Sequence, residues 1–312
     1  MTLVVLGHDF EQDWSTSWDE EQSESRSIKP AGLFIVADSA ITSSKSGQTL
    51  LGGFRKIYPI PIKLWKPYFV GAYFHSYQTI YLETECFVAI AGSTLTAQHI
   101  INAIMEHLTQ LRITFIQNER WGVEGSYRAI MPCEHNPLLH NAGVDTWDED
   151  MFPSSAFAEL LTAEQIGGFV HHSVNAALSS AKKYKLDENS LEEMRTDIAL
   201  GVTCPTNGSE HLFTYRMKWE VRQGKIEVFA EMDELKPNKI AVLGMRRFAN
   251  DAQLTFDTAL KNKTSPAAPM FEFLNSVIDK VSAAGSFEID RPSYLKTYRG
   301  GRLNNVKSLK KE

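Results

Sequence analysis

Cysteine is scarce in this sequence. Cys86, Cys133 and Cys204 are odd in number and far apart, which excludes a disulfide framework and points to a reducing cytoplasm. Long apolar runs are missing too: none reaches the ~18 residues that a bilayer-spanning helix needs. The opening Met-Thr-Leu-Val-Val-Leu-Gly-His has no basic stretch before its short apolar run, which argues against a secretory leader. Positive charge is not in excess. With 32 basic and 38 acidic residues the net charge is −6, so nothing electrostatic suggests nucleic acid or an anionic membrane as a partner. GGFR and IGGF lack the lysine and spacing of a phosphate loop. Cys133-Glu134-His135, with His140 beyond it, lacks the second ligand pair that a zinc site requires. His171 and His172 are neighbours on a helix and face different ways, so they do not chelate together. There is no internal repeat.

What remains is an ordinary globular composition, 43% hydrophobic and 22% charged, with enough length for one large domain. Residues 2–8, 33–38 and 86–91 are short apolar strands. Between the first two, residues 10–30 are polar and read as a surface loop carrying Trp14 and Trp18. Ala97, Ile101, Ile104, Met105, Leu108 and Leu111 share one face of a helix. Residues 119–161 are irregular and read as an insertion. Thr162 to Gln165 is a capping-box start for a helix with Ile166, Val170, Val174 and Ala177 inward. The period then falls to two over 211–217, 219–232 and 239–245. Helical stretches follow at 250–262 and 269–283, then a strand at 286–289 and a basic tail over 291–312. This order fits an α+β domain over 1–290, in which two antiparallel sheets pack face to face between two helical layers.

Four pieces stand in register: Thr2 before a strand, Ala37-Asp38-Ser39-Ala40-Ile41-Thr42 after a strand, Arg55-Lys56-Ile57, and Ala91-Gly92-Ser93-Thr94 opening a helix. Together they resemble the N-terminal half of proteasome β-subunits and the related bacterial proteasome-like peptidases, over roughly residues 1–111. The resemblance implies the four-layer αββα sandwich of N-terminal-nucleophile (Ntn) hydrolases and a threonine-type peptidase. Thr2 would be the nucleophile once Met1 is removed, with Lys56 beside its hydroxyl, Asp38 holding Lys56, and the Gly92 N–H meeting the oxyanion. It also implies a peptide or unfolded-protein substrate, homo-oligomeric rings and an ATP-dependent unfoldase partner. The chemistry is coherent on its own terms. A threonine hydroxyl needs a base, and an N-terminal threonine carries one in its α-amine, whose reference pKa is about 7.7–8.0. No metal or organic cofactor is implied, because nucleophile, base and oxyanion donor are all protein groups.

Each piece also has an ordinary structural reading. Asp38 suits a turn, Lys56 a strand end, and Gly92 the approach to a helix capped by Ser93 or Thr94. The second half matches the family less well. In the preferred alignment Met245, after KIAVLGM, stands where the family has serine, and Asp197 is a surface residue leading a strand. In the other, Asp197 is a candidate supporting residue and Leu200 replaces the serine. A missing serine under both leaves a rival reading: a scaffold or interaction subunit on the same fold without turnover.

Overall fold

The computed structural model describes residues 2–13, 27–43, 47–71, 73–117, 125–140, 149–184, 186–222 and 225–310. The first strands are β1 (Leu3–Gln12), β2 (Ile28–Ala37), β3 (Ile41–Thr42), β4 (Thr49–Leu51), β5 (Ile57–Val70) and β6 (Tyr73–Gly92). There follow α1 (Thr94–Leu108), β7 (Leu111–Ile116), β8 (Ser126–Ile130), α2 (Pro137–His140), α3 (Ala163–Leu178) and α4 (Glu188–Met194). The remainder is β9 (Thr196–Thr203), β10 (Glu210–Arg222), β11 (Lys225–Glu234), β12 (Ile240–Gly244), α5 (Ala249–Lys261), α6 (Ala267–Ala283), β13 (Ser293–Arg299) and β14 (Arg302–Leu309). The class is mixed α+β.

Two large sheets carry the fold, in the orders β12-β1-β2-β13-β14 and β11-β10-β9-β6-β5-β7-β8, beside a small β3-β4 pair. Side chains alternate along each strand, so each sheet supplies two cores. Leu3, Val5, Phe34 and Val36 pack with Phe256, Met270, Leu274 and Ile278 of α5 and α6. Cys86, Val88, Ile198 and Leu200 pack with Ile101, Ile104, Ile166 and Val170 of α1 and α3. The opposite faces meet each other: Val4, Leu6, Leu33 and Ile35 lie in one cluster with Phe87, Ala89 and Ala199. The Thr162 capping box forms as its residues predict, with Thr162 and Gln165 exchanging side-chain and backbone bonds.

Several expectations are corrected. The seven-stranded sheet is not wholly antiparallel. β7 joins β5 in parallel at Leu64 and Trp65, where the Trp65 indole N–H donates to the Thr109 carbonyl, 2.9 Å, in the turn after α1. The polar loop is shorter than 10–30, because β1 and β2 pair outward as far as Gln12 and Ile28; Trp14 and Trp18 lie outside the described residues. Residues 61–70 and 73–85, beyond the short apolar strands read from the sequence, lie in the long paired strands β5 and β6. The 119–161 segment is more than a surface insertion: β8 extends the sheet, and Phe152 and Phe157 are buried in its core against Tyr127. Residues 286–289 form no strand, although Ile289 is core. Within the supposed tail, residues 293–309 are instead the β13–β14 hairpin, added to the edge of β2 through Leu295↔Val36 and its neighbours.

Candidate active site

The segments singled out in the sequence meet where strands of the two sheets end side by side. Thr2 leads into β1 and is buried, at 7% exposure. Its carbonyl accepts the Met245 N–H at 2.9 Å, just past β12. Next to it, the Leu3 N–H donates to Asp38 Oδ1 at 2.9 Å, and the Asp38 N–H returns a bond to the Leu3 carbonyl at 3.2 Å. Asp38 thus closes the β1–β2 ladder with its side chain and backbone together. The Lys56 ammonium donates to the same Oδ1 at 2.7 Å, and the Ala40 N–H donates to Oδ2 at 3.0 Å. Both side chains of the Lys56–Asp38 pair are essentially dry, at 3% and 0% exposure. Burial pushes the Lys56 ammonium below the ordinary lysine range, opposed by the charge and hydrogen bond of Asp38. The Lys56 carbonyl accepts the Ile90 N–H at 2.9 Å, which ties this lysine to the end of β6.

Gly92 closes β6 opposite Thr196 of β9, with φ +112°. A Cβ there would run into the Arg195 carbonyl oxygen, so this backbone demands glycine, and the residue is exposed at the strand end. Ser93 is the N-cap of α1 by position, with no side-chain cap bond.

Asp197 is not a surface residue. It pairs with Ala91 in the middle of the large sheet and is 6% exposed. Its Oδ2 accepts the Gly244 N–H at 3.2 Å and its Oδ1 the Arg246 guanidinium at 2.7 Å. Gly244 has φ +84°; a Cβ on it would collide with the Thr2 carbonyl oxygen and approach Ala91 Cβ at 3.3 Å. Asp197 holds the Gly244-Met245 turn, and that turn touches the Thr2 carbonyl. Gly244 and Arg246 were missed, and the glycine ending an apolar strand was the available signal for the first of them.

Away from this cluster, Cys133 Sγ lies 3.5 Å from His172 Nε2, while His171 Nε2 is 2.7 Å from the Ala230 carbonyl oxygen. No group of three metal-ligating side chains is assembled among the described residues. Cys86, Cys133 and Cys204 are free thiols, and among the described residues no helix is long and apolar enough to cross a membrane. A groove of about 660 Å³ runs between α6 and the β13–β14 hairpin, lined by Phe271, Asn275, Lys307 and Leu309; it shares no residue with the Thr2 cluster.

No family model matches the chain, and no curated protein matches it. Among solved structures it is similar to an Anbu (Gly-1) mutant from Hyphomicrobium sp. strain MC1, at 11% identity over 99% of this chain and 87% of that one, with a TM-score of 0.47. It is also similar to Anbu (ancestral beta-subunit) from Yersinia bercovieri, at 12% identity over 98% and 87%, with a TM-score of 0.46. These correct the family resemblance drawn from the sequence. The similar structures are Anbu proteins, a family distinct from the proteasome β-subunits and the bacterial proteasome-like peptidases named there. At these identities and TM-scores the likeness assigns no residue of this chain a role, and the chemistry rests on the site's own geometry.

Proposed function

We propose that this protein is an amide-bond hydrolase of the threonine type, with Thr2 as nucleophile after removal of Met1, on a single domain with the four-layer αββα arrangement. The observation that carries the reading is the dry Lys56–Asp38 pair hydrogen-bonded to Leu3, the residue next to Thr2. A buried charge pair is costly to build, and its placement beside an N-terminal threonine gives it a task.

In this reading the Thr2 α-amine takes the hydroxyl proton as Thr2 Oγ1 attacks the substrate carbonyl carbon. The Lys56 charge favours loss of that proton and lowers the α-amine pKa; Asp38 keeps Lys56 in place. The Gly92 N–H stabilises the oxyanion. Collapse breaks the C–N bond, the leaving amine takes the proton, and the acyl ester on Thr2 is then hydrolysed by water. Asp197 supports the site by holding the Gly244 N–H, and so the turn that touches the Thr2 carbonyl. The substrate is a peptide or an unfolded chain if the protein assembles into rings, and a small amide if it works alone. The three free thiols support a reducing compartment such as the cytoplasm. In the same reading the subunits assemble into a homo-oligomer, and an ATP-dependent unfoldase would deliver unfolded chains to it.

One observation favours the rival reading, a scaffold without turnover. The Asp197 oxygens accept from Gly244 and Arg246, which gives this carboxylate a structural task that needs no reacting amine. Intact-mass analysis separates the two. Loss of Met1 and a single adduct with an epoxyketone or β-lactone probe, absent in Thr2→Ala, is expected for the hydrolase. Retained Met1, or a mature Thr2 that takes no adduct, would establish the scaffold.

A further inference from the structure

A second hydroxyl is placed for chemistry at the far end of β9. From Asp197 at the Thr2 end, β9 runs to Thr203, roughly 20 Å away at about 3.3 Å per residue. The turn that follows is tied at both ends: the Cys204 N–H donates to the Ser209 carbonyl at 2.8 Å, and the Gly208 N–H donates to the Cys204 carbonyl at 2.9 Å. Ser209 leaves this turn exposed, directly before β10. His211 follows two residues later, and its Nε2 lies 2.9 Å from the Ser209 hydroxyl oxygen. Its Nδ1 lies 2.7 Å from Glu234 Oε1 on β11. Glu234 stands opposite Phe213 in the β10–β11 ladder, so the carboxylate reaches His211 along one diagonal. The imidazole also lies parallel to the Phe213 ring, with centroids 6.2 Å apart and planes at 9°.

An ionised carboxylate only accepts, so the proton between Glu234 and the neutral ring sits on Nδ1. The Nε2 lone pair then faces the serine hydroxyl. Asn207 completes the group. Its Oδ1 accepts the Ser209 N–H at 2.9 Å and the Ser209 hydroxyl at 2.6 Å. The backbone donor fixes which way this amide points. Its Nδ2 makes no hydrogen bond among the described residues. The hydroxyl therefore has one proton and two acceptors, Asn207 Oδ1 and His211 Nε2, and a rotation of the O–H bond carries it from one to the other. Hydroxyl to Nε2 and Nδ1 to carboxylate is the order that lets an imidazole take a proton from a nucleophile while its other nitrogen stays bonded.

We propose that Ser209, His211 and Glu234 form a second nucleophilic site, which hydrolyses small carboxylic esters independently of Thr2. Ser209 and His211 are its catalytic residues, and Glu234 is a positioning residue. Ser209 Oγ attacks the ester carbonyl carbon as its proton passes to His211 Nε2. Asn207 Nδ2 donates to the oxyanion. The C–O bond to the alcohol breaks and the alcohol leaves with that proton. Water then attacks the acyl-serine with His211 again as base, which releases the carboxylic acid and restores the hydroxyl. An exposed turn has no walls to grip a long acyl chain, and the groove beside α6 shares no residue with this group, so the acyl group is small.

The test uses full-length Thr2→Ala protein, in which no threonine nucleophile competes. A fluorophosphonate probe is expected to leave a single adduct that peptide mapping places on Ser209, and p-nitrophenyl acetate is expected to turn over. Ser209→Ala should lose both. His211→Gln should slow labelling about 100-fold or more, the contribution of a positioned base. Glu234→Gln should lower kcat for the ester by about tenfold or more and leave KM in place, because the carboxylate acts through the ring. Ser209 and Glu234 are exposed, so these two variants should keep the parent melting temperature. No adduct, an adduct elsewhere, ester turnover that survives Ser209→Ala, or labelling unchanged by His211→Gln would overturn the site. A Glu234→Gln protein with full kcat would remove Glu234 from it.

Discussion

Lys56 donates to Asp38 across 2.7 Å with both side chains shut away from water. Such a pair is strongly asymmetric under mutation, because removing one partner strands the other charge. Lys56→Ala is expected to cost about 3–5 kcal/mol and to abolish probe labelling. A combined Lys56→Met, Asp38→Leu protein should regain much of the stability and none of the labelling. Urea melts of the three proteins check this. Equal stability of Lys56→Ala and the unmutated protein would show that the pair is not closed in solution.

Gly244 should tolerate no side chain. Its φ of +84° disfavours L-residues by roughly 1–2 kcal/mol, and the added methyl would meet the Thr2 carbonyl, a backbone atom with little room to retreat. Gly244→Ala should lower the melting temperature and slow adduct formation at Thr2 together. Unchanged values for both would mean that the β12 turn does not position Thr2.

Asp197 and Arg246 are unequal partners. The Arg246 side chain is 44% exposed, so Arg246→Met should cost under ~1 kcal/mol. Asp197→Ala also removes the acceptor of the Gly244 N–H and should cost about 1–3 kcal/mol. Denaturant titration of the two variants ranks them, and the opposite order would contradict the placement of Asp197.

His8 is expected to make the protein acid-sensitive. Its ring is buried, Nε2 has no partner among the described residues, and burial pushes its pKa down; the facing groups are Leu235, His211, Glu210 and Glu234. The unfolded histidine takes up its proton near its ordinary pKa of about 6.5, and the folded one only at lower pH. Between these values the unfolded state holds more protons, so stability falls as pH falls, by up to about 1.4 kcal/mol per pH unit. Below the folded pKa that contribution is fully lost. His8→Gln should flatten the decline from pH 6.5 downwards, seen as a smaller drop in melting temperature than in the unmutated protein. Parallel curves would remove His8 as the cause.

Much of this architecture is written in short-range pattern. Val4 and Leu6 face one way and Leu3 and Val5 the other because a strand alternates, and α1, α3 and α6 show their buried faces at spacings of three and four. The Thr162 cap is legible for the same reason: its donors and acceptors lie within one turn. The β5–β6 hairpin was harder to read. Its prolines and half-buried aromatics mask the alternation, and its stability comes from pairing with a strand across a turn. The 286–289 stretch misled because a short apolar run serves a buried loop as well as a strand.

For the candidate site, the sequence by itself drew out Thr2, Asp38, Lys56 and Gly92 through the order of four short segments and the family resemblance that this order carries. It also determined the mixed α+β class, because periodicity is a local property. Tertiary structure alone decided that Asp197 belongs beside Gly244 and that Met245 holds the Thr2 carbonyl. These neighbours come from strands far apart in the chain. Their meeting depends on sheet order, which follows from how whole faces bury against one another and leaves no mark in the spacing of residues along one strand.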